Sequence, residues 1–123
     1  MPKNEFICDC NAVHQDLVDK AISQMPQKQE IFRLADFYKI LSDPTRCKII
    51  CALLHQELCV CDLANILSMS KSSVSHQLSK MKNAGIVRCR RCGKEVYYAL
   101  DDDHIGQIFS VTMEHLRHKG AVQ

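Results

Sequence analysis

Residues 62–85, DLANILSMSKSSVSHQLSKMKNAG, decide the fold. Leu63, Ile66 and Leu67 mark a short helix over 62–67. Ser68-Met69-Ser70 then makes the turn. Ser70 is placed to cap a second helix over 71–84, and Gly85 to stop it, because glycine tolerates the left-handed backbone of a helix end. Helix, tight turn and polar, basic helix together predict a helix-turn-helix. In the second helix Val74, Leu78 and Met81 fall on one face as core candidates. Lys71, Ser72, Ser73, Ser75, His76, Gln77 and Lys80 are left to point outward. Short polar groups suit base edges and lysines suit phosphates, so these residues are the candidate DNA-reading set.

Working downstream, 86–90 and 95–100 read as two strands around a turn containing Gly93. This hairpin is the expected wing, with Arg90, Arg91 and Lys94 at its tip as phosphate contacts. The acids Asp101, Asp102 and Asp103 suit the start of a last helix that runs to about His118. Upstream, Asp43-Pro44 supplies an N-cap and a first-turn proline for a helix expected to reach about Gln56. Ile31, Leu34, Ala35, Tyr38 and Leu41 form a helical stripe over 28–42. Another helix fits 12–25, ended by Pro26, and 1–11 reads as a loose arm. The expected fold is mainly α with a small β-hairpin wing, a winged helix-turn-helix. The expected organisation is an N-terminal metal-binding arm and first helix (1–27), the winged domain with a C-terminal dimerisation helix (28–118), and a tail (119–123). One recognition helix and one wing read only a short half-site, so a homodimer on a palindrome is expected.

Charge supports a nucleic-acid partner. The net charge is only +2. Yet Lys71, Lys80, Lys82, Arg88, Arg90, Arg91 and Lys94 fall between residues 63 and 94 with no acid among them. A one-signed stretch in a near-neutral chain is the footprint of a phosphate backbone, whereas an ordinary solvated face mixes both signs. With 46% apolar and 24% charged residues the composition is globular. No run is apolar enough to span a bilayer, and the first residues lack the apolar centre of a signal peptide, so a cytoplasmic location without membrane contact is expected.

The 8 cysteines then point to metal ligation or thiol reactivity, because a reducing compartment disfavours disulfides. Cys8-Asp9-Cys10 and Cys59-Val60-Cys61 are two C-x-C pairs that together offer four thiolates to one ion. The alternative is free cysteines on an arm and a turn, and His14 is a candidate substitute ligand. Residues two apart in a helix point about 200° apart, so Cys59 and Cys61 must straddle a helix start. An all-sulfur site favours cadmium, lead(II), zinc or arsenic(III). Asp102 and His104, with His115 and His118, form a second set on one face of the last helix. His104 and His115 are ~16 Å apart along the axis at 1.5 Å per residue, so one ion cannot bridge them in one chain. Antiparallel pairing with the same helix of a second subunit brings Asp102 and His104 of one copy to His115 and His118 of the other, a zinc-type set. Cys47 and Cys51 read as small buried apolar residues on one helix face. Cys89 and Cys92 read as exposed wing thiols, made oxidisable by flanking arginines. A C-x-x-C oxidoreductase is disfavoured, because this pair sits in a basic hairpin and not at a helix N-terminus. The chain is not expected to be an enzyme.

Residues 57–63, ELCVCDL, resemble the motif of the ArsR/SmtB family of metal-sensing repressors. The lead-in Leu41-Ser42-Asp43-Pro44-Thr45-Arg46, the helix Ser73-Val74-Ser75-His76-Gln77-Leu78 and the terminal D-x-H…H-x-x-H are similar to that family as well. The N-terminal cysteines add similarity to its CadC-like subgroup, which senses cadmium, lead or zinc. The resemblance implies a homodimeric repressor of a metal efflux or resistance operon that leaves operator DNA on binding Cd(II), Pb(II) or Zn(II). It also implies that Cys8 and Cys10 of one subunit join Cys59 and Cys61 of the other. An arsenic(III) sensor of the same fold, or a repressor switched by a Cys89–Cys92 disulfide, is the alternative.

Overall fold

The computed structural model describes residues 6, 8, 11 and 13–120. The chain divides into two compact units, 1–33 and 34–123. The first contains α1 (Gln15–Gln24) and the opening turns of α2 (Lys28–Leu41). Helix α1 starts at Gln15, three residues later than the periodicity predicts. None of its residues is buried, and Leu17 and Ile22 stay largely exposed.

The second unit carries the end of α2, then α3 (Pro44–Ala52), β1 (Leu58–Cys59), α4 (Val60–Leu67), α5 (Lys71–Asn83), β2 (Val87–Cys92), β3 (Glu95–Leu100) and α6 (Asp103–His118). The mainly helical winged helix-turn-helix expected from the sequence is present. Helix α3 begins as expected, with the Asp43 carboxylate accepting from the Arg46 backbone N–H at 3.0 Å. It ends at Ala52, four residues before the expected Gln56. The reason lies downstream: Leu58 and Cys59 pair with Tyr98 and Tyr97 of β3, so the chain must leave the helix in time to join the sheet. The sheet is therefore three-stranded, in the order β1-β3-β2, and not a lone hairpin.

Strand β2 continues to Cys92, two residues beyond the expected end at Arg90. Only Gly93 and Lys94 remain for the turn, with Gly93 at φ +63°, the positive value a two-residue hairpin demands at that position. Helix α5 ends as its glycine predicts. Gly85 N–H donates to the Lys82 carbonyl at 3.0 Å and Ile86 N–H to the Met81 carbonyl at 2.9 Å. This doubly bonded ending is the Schellman motif, and the buried Ile86 and Met81 add its usual apolar contact.

The core lies beneath the helix-turn-helix. Ile49, Ile50, Leu63, Val74, Leu78, Met81, Ile86 and Val87 are all essentially inaccessible. They come from α3, α4, α5 and the start of the wing, so burying them fixes the recognition helix against its support. Leu41 and Ile105 join the same cluster from α2 and α6. Among the described residues, no helix is long and apolar enough to cross a membrane.

Candidate nucleic-acid interface and metal-ligand sites

Helix α5 presents the predicted polar face. Lys71, Ser72, Ser73, Ser75, His76 and Lys80 are exposed. Ser70 caps the helix by accepting from Ser73 N–H at 3.1 Å, and its hydroxyl also donates to Ser73 Oγ at 2.8 Å. The first turn therefore offers ordered hydroxyls beside a helix N-terminus, a combination that favours phosphate oxygens. Gln77 differs from its neighbours. It is half-buried, and its Oε1 accepts from Arg46 Nε at 2.9 Å. Arg46 also donates to the Ile40 carbonyl at 3.2 Å. Nothing local in the sequence marks Arg46 for this role, because its partner lies 31 positions away.

The wing arginines are not all at the tip. Arg90 lies within β2 opposite Tyr97. Its guanidinium pairs with Glu57 at 2.8 Å and sits 5.0 Å from the Tyr97 ring centre. The Glu57 carboxylate beside it raises its pKa further. Arg91 and Lys94 are exposed at the hairpin end. The hairpin end thus carries Arg91 and Lys94, while Arg90 is held back toward β1.

Cys59 and Cys61 straddle a helix start, as their spacing requires. Cys59 is the N-cap of α4 and Cys61 lies in its first turn. Cys59 is buried and Cys61 exposed. The Asp62 carboxylate accepts from Cys59 N–H at 3.3 Å and from its thiol at 3.2 Å. The Asp62 backbone N–H lowers the Cys59 pKa, but the hydrogen-bonded Asp62 carboxylate and burial outweigh it, and the thiol is raised. Cys8 is exposed. Cys10 lies outside the described residues.

At the other end, Asp102 N-caps α6. Its carboxylate accepts from His104 N–H at 2.9 Å and lies 3.3 Å from His104 Nδ1. Hydrogen bonding to His104 lowers the Asp102 pKa. His115 and His118 are exposed in the last turn of the same helix. Val111, between the two ends, is 65% exposed although apolar. Among the described residues, no three His, Cys, Asp or Glu side chains gather closely enough to hold an ion. Within one chain the structure brings Asp102 to His104 and leaves His115 and His118 apart from them.

Two cysteine expectations change. Cys51 is exposed and Cys47 only partly covered, so neither is a core residue. Cys89 pairs opposite Tyr98 and Cys92 opposite Glu95. Three positions apart in one strand, they point to opposite faces with Cα atoms about 10 Å apart. A disulfide spans no more than ~7 Å between Cα atoms, so an intrachain Cys89–Cys92 bridge would require β2 to come apart.

A family model described as bacterial regulatory protein, arsR family, matches residues 43–88. The chain is 41% identical over 117 residues to a cadmium resistance transcriptional regulatory protein CadC homolog of Staphylococcus aureus, covering 94% of this chain and 96% of that one. It is 37% identical over 111 residues to a transcriptional repressor SmtB homolog of Synechocystis sp., covering 90% and 84%. The solution structure of the homodimeric winged helix-turn-helix DNA-binding domain of Mb0332 from Mycobacterium bovis superposes with a TM-score of 0.67 at 25% identity, covering 77% of this chain and 94% of that one.

Proposed function

The chain belongs to the arsR family of bacterial regulatory proteins, and on that premise we propose that it is a homodimeric repressor that leaves operator DNA when it binds Cd(II), Pb(II) or Zn(II). The observation that carries this reading is the position of Cys59. Its backbone pairs with Tyr97 in the wing sheet, and it caps the first helix of the helix-turn-helix. An ion taken up there acts on both DNA-facing elements at once.

Cys59 and Cys61, with Cys8 and Cys10 of a second subunit, supply an all-thiolate set suited to soft ions. Ligation replaces the thiol proton that Cys59 now shares with Asp62. The same carboxylate accepts from the Cys59 backbone N–H in the α4 capping box, so losing the thiol bond would perturb the start of the helix-turn-helix. Asp102 and His104 of one subunit, with His115 and His118 of the other, supply one oxygen and three nitrogens for zinc. Antiparallel pairing of α6 across a two-fold axis assembles this set twice. The exposed Val111 lies on the same helix face and is covered by that pairing.

Either site has only to bind more tightly in the geometry that mismatches the DNA. A coupling of about 1–3 kcal/mol changes affinity by roughly 5- to 150-fold. Lys71, Ser72, Ser73, Ser75, His76 and Lys80 address the major groove, while Arg91 and Lys94 reach flanking phosphates. Gln77 contributes through its free amide edge, and Arg90 through its exposed guanidinium.

The test is a gel-shift titration of the chain on DNA from its own promoter, with cadmium and zinc, for wild type, Cys61→Ser and His104→Ala. Metal-dependent release is expected in wild type. Its loss in one variant identifies the site that drives release. Operator affinity unchanged at saturating metal in wild type would sink the sensor reading.

A further inference from the structure

Cys47 and Cys51 take part in neither proposed metal set. They lie one turn apart on α3, where side chains four residues apart are neighbours with Cβ atoms about 5–6 Å apart. Both line a groove of about 370 Å³ between α3, the end of α2 and α6. Tyr38, Leu41, Phe109 and Met113 form much of its wall. The surroundings are almost entirely apolar, and the lining includes no carboxylate and no imidazole. Cys47 donates its thiol proton to the Leu41 carbonyl at the end of α2 at 3.1 Å. Cys51 is exposed at the rim.

We propose that this groove is a separate binding site for a soft monovalent cation, copper(I), held by the thiolates of Cys47 and Cys51 and the thioether of Met113. The donor set is all sulfur, from two thiols on one helix and a thioether on the helix facing it. Thiolate and thioether ligands together select copper(I) among first-row ions. Zinc in a structural site is almost always four-coordinate. Here it would have to complete its shell with water against an apolar wall. A low-coordinate soft ion needs nothing beyond the sulfurs present. Binding displaces the protons of the two thiols into solvent and leaves copper in its +1 state, so the step needs no oxidant or reductant. Burial pushes the Cys47 thiol up, and the neighbouring Cys51 adds to this.

The test uses the full chain under anaerobic conditions, titrated with copper(I) against a colorimetric chelator, with silver(I) as a redox-inert second probe. Alkylation by iodoacetamide followed by peptide mass mapping reads each cysteine separately. Copper(I) is expected to protect Cys47 and Cys51 together, and zinc at the same concentration is not. In Cys47→Ser, protection at Cys51 should disappear. Met113→Leu keeps the groove filled and should weaken copper(I) at this pair by about tenfold or more, the scale on which metal affinity falls when even a supporting partner of a ligand is lost. A Cys59→Ser/Cys61→Ser variant, in which the thiol pair at the start of α4 cannot compete, should retain the protection. Alkylation of Cys47 and Cys51 at the metal-free rate in saturating copper(I) would overturn the site. Equal protection by zinc would overturn its selectivity, and an unchanged affinity in Met113→Leu would remove the thioether from it.

Discussion

Arg46 Nε donates to Gln77 Oε1 at 2.9 Å, joining the first turn of α3 to the middle of the recognition helix. A guanidinium only donates, so the Gln77 amide must turn its oxygen toward Arg46 and its NH₂ away. The second Arg46 bond, to the Ile40 carbonyl, carries the same tie back to α2. Arg46→Met keeps much of the side chain's length and removes both bonds. Hydrogen bonds to charged groups contribute roughly 1.5–3 kcal/mol, and Arg46 is half-buried, so a loss of about 2 kcal/mol is expected. Urea unfolding of variant and wild type at one protein concentration checks it. DNA affinity should fall as well, because the recognition helix loses its lateral support.

Met81 is fully buried, and its carbonyl accepts from Ile86 N–H at 2.9 Å where α5 hands over to the wing. Met81→Ala leaves a cavity at that junction. Truncations of this kind cost roughly 2–5 kcal/mol. The denaturation midpoint should drop accordingly, with the wing amides of β2 and β3 losing hydrogen-exchange protection.

The Glu57–Arg90 pair is exposed, and exposed pairs contribute little to stability because water and salt screen them. Glu57→Gln should therefore leave stability nearly unchanged. It releases Arg90 for phosphate, so operator binding should strengthen at low salt. The slope of log affinity against log salt should steepen by about 0.9, the value for one further neutralised phosphate. An unchanged slope would show that Arg90 does not reach the backbone.

Tyr97 donates to Glu95 Oε2 at 2.5 Å, and this bond and the carboxylate's charge push its pKa up to about 12. A group whose folded pKa is raised contributes its full stabilisation below its unfolded pKa, near 10 for tyrosine. That contribution is lost as pH rises from about 10 to about 12. In Glu95→Gln, Tyr97 should ionise closer to 10, which a spectrophotometric tyrosine titration resolves.

Much of the fold was legible because its signals are local. Ser70 and Gly85 bracket α5, Asp43-Pro44 opens α3, and Val74, Leu78 and Met81 fall at helical spacing on one face. Each depends on residues within a turn or two of itself, and the structure places all of them as the pattern predicts. The C-x-C at Cys59 and Cys61 was legible for the same reason, since helical geometry alone requires it to straddle a helix start.

Other features were decided by partners far away in the chain. Strand β1 is two residues long, too short for any alternation to show, and exists because Tyr97 and Tyr98 offer backbone groups to it. That pairing ends α3 early and joins Cys59 to the wing. Arg46 and Gln77, and Arg90 and Glu57, meet only after the helices and strands have packed. Cys47 and Cys51 share an apolar helix face in the sequence, yet that face fronts a groove instead of the core. Periodicity reports which side of an element is apolar. What lies against that side depends on the packing of α2 and α6, which no local spacing encodes.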